Sequence, residues 1–501
     1  MTACLFAGAV PHGRAAQPGY IIHGVSLYDP AELVNFAHAH VYNHDGTVSL
    51  ERLAQGIELV YREDGYFLAE ADVISDGRGN TIIVVDEGRI DSVVVEGVDE
   101  LVHARIEAYA ARLIGRPGIT QAEFERVLML VNDLAGVTAV TEFDYPDRQG
   151  GARLVIHAGQ AEQAGSLTFD NPPRELGEAT SLYFTQEFYS VFGGGDLLRF
   201  QGSASFHYSG DGKGESFSGN AYYRAPVGDD GGYWEAFGGN VIGQRDAYHN
   251  YVATELEGRE AGIVVGFPFY RDIHNYAYGV LEARHSAVDS SGGGVSYRSA
   301  VNAMSAMALY GYDDDEGAPT RLGLIATAGW RDGSLPAGEE DGDDQYFHLR
   351  ASYGTSRPLS MLDENLSLRF EVFAQYSPQR LPAVEEFYLG TKNQLRGYRF
   401  AEASGDSGAV GLIEINHVLP ESAGVFRRLN TYAFLDAGIV ENNVPGMRET
   451  GNIHLASTGV GIRAGLQNGL VINSHVGIPL VDGPFTERFD PGIYLGVTVQ
   501  W

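Results

Sequence analysis

The chain has 501 residues and a mass of 54.2 kDa, which allows more than one domain. Its 34 Lys and Arg residues against 66 Asp and Glu give a net charge of −32, which argues against nucleic acid as a partner. Mean hydropathy is −0.14, and no apolar run approaches the ~18 residues of a membrane helix. Cys4 is the single cysteine, which excludes a disulfide framework and a cysteine-based metal site.

Residues 1–19 combine an apolar stretch around Leu5 and Phe6 with small residues at Ala15 and Ala16. This pattern is typical of a secretory signal, although its basic leading segment is missing. The alternative interpretation is a disordered tail. We therefore expect residues 1–19 to be a partial signal-like or disordered segment.

Residues 20–88 predict a small α+β domain. Tyr20–Val25 reads as a strand, and Asp29 occupies the N-cap position before a helix that starts at Pro30. A second helix has apolar residues at helical spacing along one face: Leu50, Leu53, Ile57, Val60 and Tyr61. Two strands follow, around Ala69–Ile74 and Thr81–Val85. The predicted order is β-α-α-β-β.

Residues 89–160 repeat this order, with a period long enough for a second small domain. Ile90–Glu96 reads as a strand and Glu100–Ile114 as a helix. Thr120 and Glu123 form a capping box that opens another helix. Two final strands are predicted at Val137–Phe143 and Ala152–His157. Two unrelated α+β domains are the alternative to a true repeat.

Residues 161–501 predict a mainly β domain with sixteen amphipathic strands between residues 164 and 501. The last strand alternates strictly, with apolar residues at Ile493, Leu495, Val497, Val499 and Trp501. Only helices and closed barrels satisfy every backbone polar group in a bilayer. The sequence therefore predicts a 16-stranded antiparallel transmembrane β-barrel with lipid outside and water inside.

One barrel segment, Ser377–Gly408, is too long for a simple turn, and it contains Leu395-Arg396-Gly397-Tyr398. In a later strand, the alternation places Phe434, Asp436 and Gly438 on the inner face. A lone carboxylate in a partly dehydrated lumen is costly unless it is paired. Arg396 can pair with Asp436 bidentately, and Gly397 lets the backbone turn tightly.

Several segments resemble the two-partner secretion transporters, the haemolysin activation/secretion proteins of the POTRA-barrel outer-membrane superfamily. Leu59–Ala69 and Glu87–Val93 are similar to the first POTRA (polypeptide-transport-associated) domain of that family. Phe124–Val137 is similar to the second POTRA domain, and Leu167–Asn171 to the start of the barrel. The resemblance covers essentially the whole chain after residue 20 and identifies residues 20–88 as POTRA 1 and 89–160 as POTRA 2.

In that family, the sixth extracellular loop folds back into the lumen, and its arginine meets an acidic wall residue in a motif of Phe, any, Asp, any, Gly. Leu395, Arg396, Gly397 and Tyr398 resemble the loop motif, and Phe434, Asp436 and Gly438 match the wall motif. The resemblance implies that this pair sets the resting position of the loop. A purely structural role, as a staple that helps the barrel fold, is the alternative, and the two roles can coexist.

The resemblance also implies a function. The chain would lie in the outer membrane of a Gram-negative bacterium with its POTRA domains in the periplasm. There it would recognise an unfolded secreted exoprotein and pass it through the lumen. Outer-membrane lipid would be a further partner, as would periplasmic chaperones and the barrel-assembly machinery during biogenesis. The main alternative is an insertase or assembly factor for other membrane proteins; a diffusion porin and an outer-membrane enzyme rank below it.

No pattern in the sequence predicts catalysis. The acidic loop at residues 339–344 lacks the full spacing of a Ca²⁺ site and is interpreted as a solvated surface loop. The barrel histidines fall in different strands without metal spacing. No nucleophile elbow or phosphate loop lies between a strand and a helix. We predict that the protein is not an enzyme and has no catalytic residue, metal or cofactor.

Overall fold

The computed structural model describes residues 20–41, 48–75, 81–145, 151–171, 179–207, 215–245, 254–314, 317–332, 343–419, 426–443, 452–467 and 469–501. The signal-like segment and residues 339–342 of the acidic loop lie outside this set. The chain forms two compact units. The larger one comprises Val95–Tyr109, Glu125–Val140 and Ile156–Trp501. The smaller one comprises the described residues up to Val94 with Ala110–Phe124 and Thr141–Val155.

The first α+β repeat has the predicted order β-α-α-β-β. Its elements are β1 (Tyr20–His23), α1 (Pro30–Val41), α2 (Leu50–Glu63), β2 (Glu70–Ser75) and β3 (Thr81–Asp86). Asp29 caps α1, since its carboxylate accepts from the amides of Ala31 at 2.9 Å and Glu32 at 3.2 Å. Strand β3 is central in the sheet, parallel to β1 and antiparallel to β2.

Helix α2 packs its apolar stripe onto this sheet, as its sequence spacing predicts. Leu53, Ile57 and Tyr61 are buried in one cluster with Ile83 of β3. Full burial of such side chains stabilises each by about 1.5–3 kcal/mol. The first repeat therefore has a hydrophobic core of its own.

The second repeat has the same order. Its elements are β4 (Ile90–Glu96), α3 (Glu100–Ala110), α4 (Gln121–Asn132), β5 (Val137–Asp144) and β6 (Ala152–Gln160), in a sheet of order β4-β6-β5. The predicted helix Glu100–Ile114 ends as an α-helix at Ala110 and tightens into a 3₁₀ turn over Ala111–Leu113. The capping box forms: Thr120 N and Oγ1 donate to Glu123 Oε2 at 3.1 and 3.0 Å. In the part of the chain that the structure describes, no helix is both long and apolar enough to cross a membrane.

Sixteen antiparallel strands close into a barrel, which confirms the predicted architecture. The strands before the long loop are β7 (Gln163–Asp170), β8 (Ala179–Tyr189), β9 (Leu197–His207), β10 (Glu215–Val227), β11 (Gly232–Arg245), β12 (Thr254–Arg271), β13 (Asn275–Gly292), β14 (Val295–Asp313), β15 (Pro319–Arg331), β16 (Gln345–Pro358) and β17 (Leu366–Tyr376). The loop contains β18 (Phe387–Leu389) and β19 (Ala403–Gly405). The remaining barrel strands are β20 (Ser407–Leu419), β21 (Phe426–Glu441), β22 (Ile453–Leu466), β23 (Leu470–Pro479) and β24 (Gly492–Gln500).

The two faces of the barrel wall differ in chemistry. Large apolar side chains point outward, and Leu281, Met304 and Val460 are 61–63% exposed. Hydroxyl groups pair across strands on the inner face, with Ser305 Oγ and Thr327 Oγ1 3.0 Å apart. An apolar outside and a polar inside are what a barrel in a bilayer requires.

Strands β24 and β7 close the barrel through a short seam. Their register holds five residue pairs, from Ser166–Gln500 to Asp170–Gly496. Main-chain hydrogen bonds between Gly165 and Trp501 extend it at one end. Asn171 extends it at the other end by accepting from Leu495 N through its side chain. The terminal aromatic residue thus completes the barrel.

Short turns lie at one rim of the barrel. They include Gly193–Gly195 and the turn after Arg271. Within the larger unit, residues of α4 and its C-terminal end reach this rim. Arg126 Nη2 lies 3.0 Å from Asp230 Oδ1, and Arg271 Nη2 lies 2.9 Å from Asp133 Oδ1. The connections after β17 and β23 fall at the opposite rim.

The buried Glu87 carboxylate connects two parts of the first repeat. It accepts from the amides of Ser26 at 2.7 Å and Leu27 at 2.8 Å, and from Tyr61 Oη at 2.7 Å. Burial by itself raises the pKa of Glu87, but the hydrogen bonds from Ser26, Leu27 and Tyr61 outweigh it and hold that pKa below its ordinary value.

Glu87→Gln should therefore lower the free energy of unfolding of the first repeat by about 1–3 kcal/mol at pH 7, because a neutral amide satisfies these donors poorly. A lowered pKa stabilises the folded state above the ordinary value of 4.5, and this stabilisation is lost as the pH falls through the folded value. The difference in the free energy of unfolding between variant and parent should therefore shrink as the pH falls. Hydrogen exchange of residues 20–88 measures it, with Asp72→Asn on the exposed face of β2 as control. An equal effect of both substitutions would contradict this account.

Candidate functional site

The long segment between β17 and β20 folds back into the barrel. After Ser377 the chain makes a 3₁₀ turn at Ala383–Glu385, and β18 then pairs with β19 as a short hairpin. The tip of this hairpin carries Leu395 and Tyr398, both 0% exposed. They pack in one cluster with wall residues of three strands: Val410 of β20, Val440 of β21 and Leu455 of β22. We call residues 377–406 the lumen loop.

Arg396, at the tip of the lumen loop, lies against Asp436 on β21. Its Nε and Nη2 donate to the two carboxylate oxygens of Asp436 at 3.0 and 2.8 Å. The backbone amide of Arg396 donates to the same carboxylate at 3.1 Å. Asp436 is 0% exposed and Arg396 3% exposed. The planar, two-point geometry is the strongest form of an arginine–carboxylate pair.

A second carboxylate completes the site. Arg396 Nη1 donates to Glu414 Oε2 at 2.6 Å, and Glu414 also accepts from Arg463 Nη1 at 2.8 Å. Glu414 comes from β20 and Arg463 from β22, so three adjacent strands surround the guanidinium group. The cluster contains two acids and two bases, which compensates the buried charges. Sequence reasoning predicted Asp436 as the partner and missed Glu414 and Arg463.

A signal for both missed residues exists in strand parity. Glu414 lies between Ile413 and Ile415, which are 43% and 48% exposed on the outer face. Arg463 follows Ile462, which is also on the outer face. Alternation along β20 and β22 therefore directs both charged side chains inward.

Aromatic rings form the rest of the arginine's surroundings. The guanidinium carbon of Arg396 lies 3.5 Å from the ring centroid of Phe434, and that of Arg463 lies 3.9 Å from the ring of Tyr432. Cations are attracted to the faces of aromatic rings, more strongly when water is excluded. The first residue of the wall motif thus contacts the loop arginine directly.

Glycine is required at two backbone contacts in this site. Gly397 has φ +101°, and a Cβ there would lie 2.6 Å from the carbonyl carbon of Gly477 on β23. A Cβ on Gly477 would in turn lie 2.5 Å from the carbonyl carbon of Arg396. On the wall, a Cβ on Gly438 would lie 2.9 Å from Leu389 Cδ2 and 3.1 Å from Leu395 Cδ1, so Gly438 leaves room for two leucine side chains of the loop. The glycines of both predicted motifs therefore permit close approach of loop and wall.

Tyr398 binds the tip of the loop to the wall and to the connection after β23. Its hydroxyl donates to the carbonyl groups of Ala456 at 2.9 Å and Val481 at 2.7 Å. Beyond it, Glu402 accepts from the amides of Phe485 at 2.7 Å and Thr486 at 2.8 Å, in the connection between β23 and β24. The lumen loop is thus joined to another loop as well as to the wall.

The opposite side of the tip reaches the seam. Lys392 Nζ lies 2.8 Å from Asp170 Oδ2 at the end of β7 and 4.7 Å from the ring centroid of Tyr183 on β8. Tyr494 of β24 donates to the same Asp170 oxygen at 3.4 Å. The structure thus brings all seven residues predicted for the loop and wall motifs into one site and adds contacts that the sequence did not reveal.

Comparisons with known proteins agree with this arrangement. The family model described as haemolysin secretion/activation protein ShlB/FhaC/HecB matches residues 290–464, which include both the loop motif and the wall motif. The hemolysin transporter protein ShlB of Serratia marcescens is 23% identical over 433 residues, which cover 80% of this chain and 72% of that protein.

Solved structures share the fold. CdiB from Escherichia coli aligns with a TM-score of 0.75 and 19% identity, covering 98% of this chain and 93% of its own. CdiB from Acinetobacter baumannii aligns with a TM-score of 0.70 and 15% identity, covering 96% and 89%. A BamA from Haemophilus ducreyi lacking POTRA domains 1–3 aligns with a TM-score of 0.56 and 14% identity, covering 94% and 98%.

The barrel has an apolar exterior, its lumen holds an arginine loop on an acidic wall residue, and the family match spans both parts of that contact. The comparisons therefore support a two-partner secretion transporter of the outer membrane, similar to the haemolysin secretion/activation proteins ShlB/FhaC/HecB over the part of the barrel that holds this contact.

Proposed function

We propose that this protein recognises an unfolded exoprotein in the periplasm through its two POTRA-like repeats and secretes it through the barrel lumen. The observation that carries the proposal is the lumen loop, which folds back into the barrel and whose tip is held by a compact charged cluster around Arg396. The ion pairs and hydrogen bonds of this loop can be exchanged for contacts with water when it moves.

The two small sheets support the capture step. In each, the outer strands have one neighbour: β1 and β2 flank β3, and β4 and β5 flank β6. An outer strand presents backbone groups that pair with an extended peptide irrespective of its sequence. Ile74 on β2 and Val140 on β5 are 48% and 68% exposed and would add apolar contacts. Such edges suit an unfolded partner.

The orientation follows from the barrel rims. Residues of the second repeat reach the rim of short turns through Arg126–Asp230 and Asp133–Arg271. Transmembrane barrels of the outer membrane carry short turns on the periplasmic side. The POTRA-like repeats would therefore be periplasmic and would deliver the exoprotein to that rim.

Passage through the lumen then requires the loop to shift, and folding of the exoprotein outside the cell would give the movement its direction. The proposal includes no catalytic step. Lipid surrounds the barrel, and periplasmic chaperones and the barrel-assembly machinery would take part in its biogenesis.

An assembly factor for other membrane proteins is a second candidate, favoured by the likeness to the BamA structure. That likeness is weaker than the likeness to the CdiB structures. Loss of this chain would, under the second candidate, deplete other outer-membrane proteins.

Deleting residues 20–160 should reduce secretion to background, because the strand edges that capture the exoprotein are lost, while the barrel still conducts ions. Secretion is measured by immunoblot of the medium in cells that also express a candidate exoprotein, namely a large, repeat-rich secreted protein. The abundance of other outer-membrane proteins serves as the second readout. Normal secretion by the truncated barrel would remove the repeats from the mechanism, and depletion of other barrels would favour the assembly factor.

Arg396→Ala should cut secretion about tenfold or more, because the loop would no longer be held in its resting position. Breaking a buried ion pair by removing one partner typically costs about 3–5 kcal/mol. Insertion of the barrel should remain largely intact, as judged by heat-modifiable migration in gels. Arg399→Ala, in the same loop but outside the Asp436–Glu414 cluster, is the matched control. Unchanged secretion by the Arg396 variant would exclude this contact from transport.

Gly397→Ala should displace the loop tip, because the added methyl group collides with the backbone of Gly477 and the left-handed φ disfavours alanine. The expected result is a higher mean conductance of purified protein in planar bilayers. Gly465→Ala on β22 is the control, since a Cβ there meets nothing within 4 Å. Equal conductance of the two variants would show that the tip tolerates the methyl group.

A further inference from the structure

A second buried charge on the lumen loop lies away from Arg396. Glu385 ends the 3₁₀ turn that precedes β18 in the lumen loop, and it is 0% exposed. Its Oε1 accepts from Arg284 Nη2 at 2.7 Å and from Tyr346 Oη at 3.1 Å. Its Oε2 lies 3.2 Å from His348 Nε2 and 3.9 Å from Arg350 Nη2. These four partners belong to the barrel wall, on β13 and β16.

The backbone of Glu385 is held as well. Its carbonyl oxygen accepts from Arg350 Nη2 and from Gln375 Nε2, each at 3.0 Å. The side chain of Gln375, on β17, also donates to the carbonyl of Asp406 at the other end of the loop at 3.0 Å. Glu385 therefore fixes the part of the loop next to the barrel strands, which we call its stem, through both its carboxylate and its main chain.

The two buried sites have opposite polarity. At the tip, the loop contributes a cation, Arg396, and the wall contributes the carboxylates of Asp436 and Glu414. At the stem, the loop contributes a carboxylate, and the wall contributes the guanidinium groups of Arg284 and Arg350. Exchanging the two contacts would bring like charges together, so this arrangement defines a single register of the loop on the wall.

We propose that Glu385 is a second anchor of the lumen loop and that the loop leaves the lumen only when the contacts of both Glu385 and Arg396 open. This inference rests on the proposed function in one respect, namely that loop release accompanies secretion. Glu385 is a positioning residue, since it acts through the loop.

Glu385→Gln is a suitable test because the wall retains other partners for its bases. Arg284 Nε lies 3.4 Å from Glu282 Oε1, and Arg350 Nε donates to Gln375 Oε1 at 2.6 Å. The substitution removes the loop's charge without leaving either arginine alone. Heat-modifiable migration in gels checks that the barrel has folded.

The measurement is the fraction of time that purified protein spends in its high-conductance state in planar bilayers, which requires no exoprotein. Glu385→Gln should raise this fraction at least about tenfold, which corresponds to about 1.4 kcal/mol of lost anchoring. Combined with Arg396→Ala, the two increases should multiply, since both anchors must open for one movement. Glu371→Gln is the control: it makes the same charge change in the lumen, where Glu371 pairs with Arg369 on the same strand.

An unchanged high-conductance fraction in Glu385→Gln would overturn the inference, as would a double variant identical to Arg396→Ala alone. If Glu385→Gln fails to fold, Tyr346→Phe removes a single donor to the carboxylate and should produce a smaller rise in the same direction. No rise in that variant would then count against the anchor. Because conductance is independent of the exoprotein, a chain that secretes nothing could still pass this test, and the two proposals fail separately.

Discussion

The position of the lumen loop depends on one guanidinium group placed between two carboxylates that water does not reach. Arg396, Asp436 and Glu414 are each nearly or fully buried. Burial makes any single one of them unfavourable and the complete set favourable, because an unpaired charge in this environment costs several kcal/mol. If the loop moves as proposed, it is therefore either docked with its charges matched or displaced with those charges in water. A partly docked loop would leave at least one of these charges buried without its partner, which is unfavourable.

The surrounding residues make this docking precise. Glycines at 397 and 477 let two main chains touch, and the ring of Phe434 covers one face of the guanidinium group. Leu395 takes a left-handed conformation, φ +53°, that non-glycine residues adopt at a cost of about 1–3 kcal/mol. The strain sits beside the ion pair that offsets it. Under the proposed function, such an arrangement suits a contact that forms in one geometry and is broken during secretion.

The sequence was sufficient to predict the barrel and the pair of Arg396 and Asp436, but not the other two charged residues of the cluster. Strand alternation carries a period of two, so it predicted sixteen strands and the inward direction of Phe434, Asp436 and Gly438. The same rule applies to Glu414 and Arg463, whose neighbours Ile413 and Ile462 face outward. Glu385 and Lys392 are different. They lie in a segment without periodicity, and their partners come from strands distant in sequence, so no local pattern indicates where their charges lie.

Strand number fixes the perimeter of a closed barrel but leaves the shape of its cross-section open. The lumen loop contacts the wall from β13, through Arg284, round to β8, through Tyr183. It thus links strands around most of the circumference, including β7 at the seam, and acts as an internal brace. Withdrawal of the loop would change two properties at once, the space inside the cylinder and the restraint on its outline. The width of the passage is therefore set by the brace as well as by the sixteen strands.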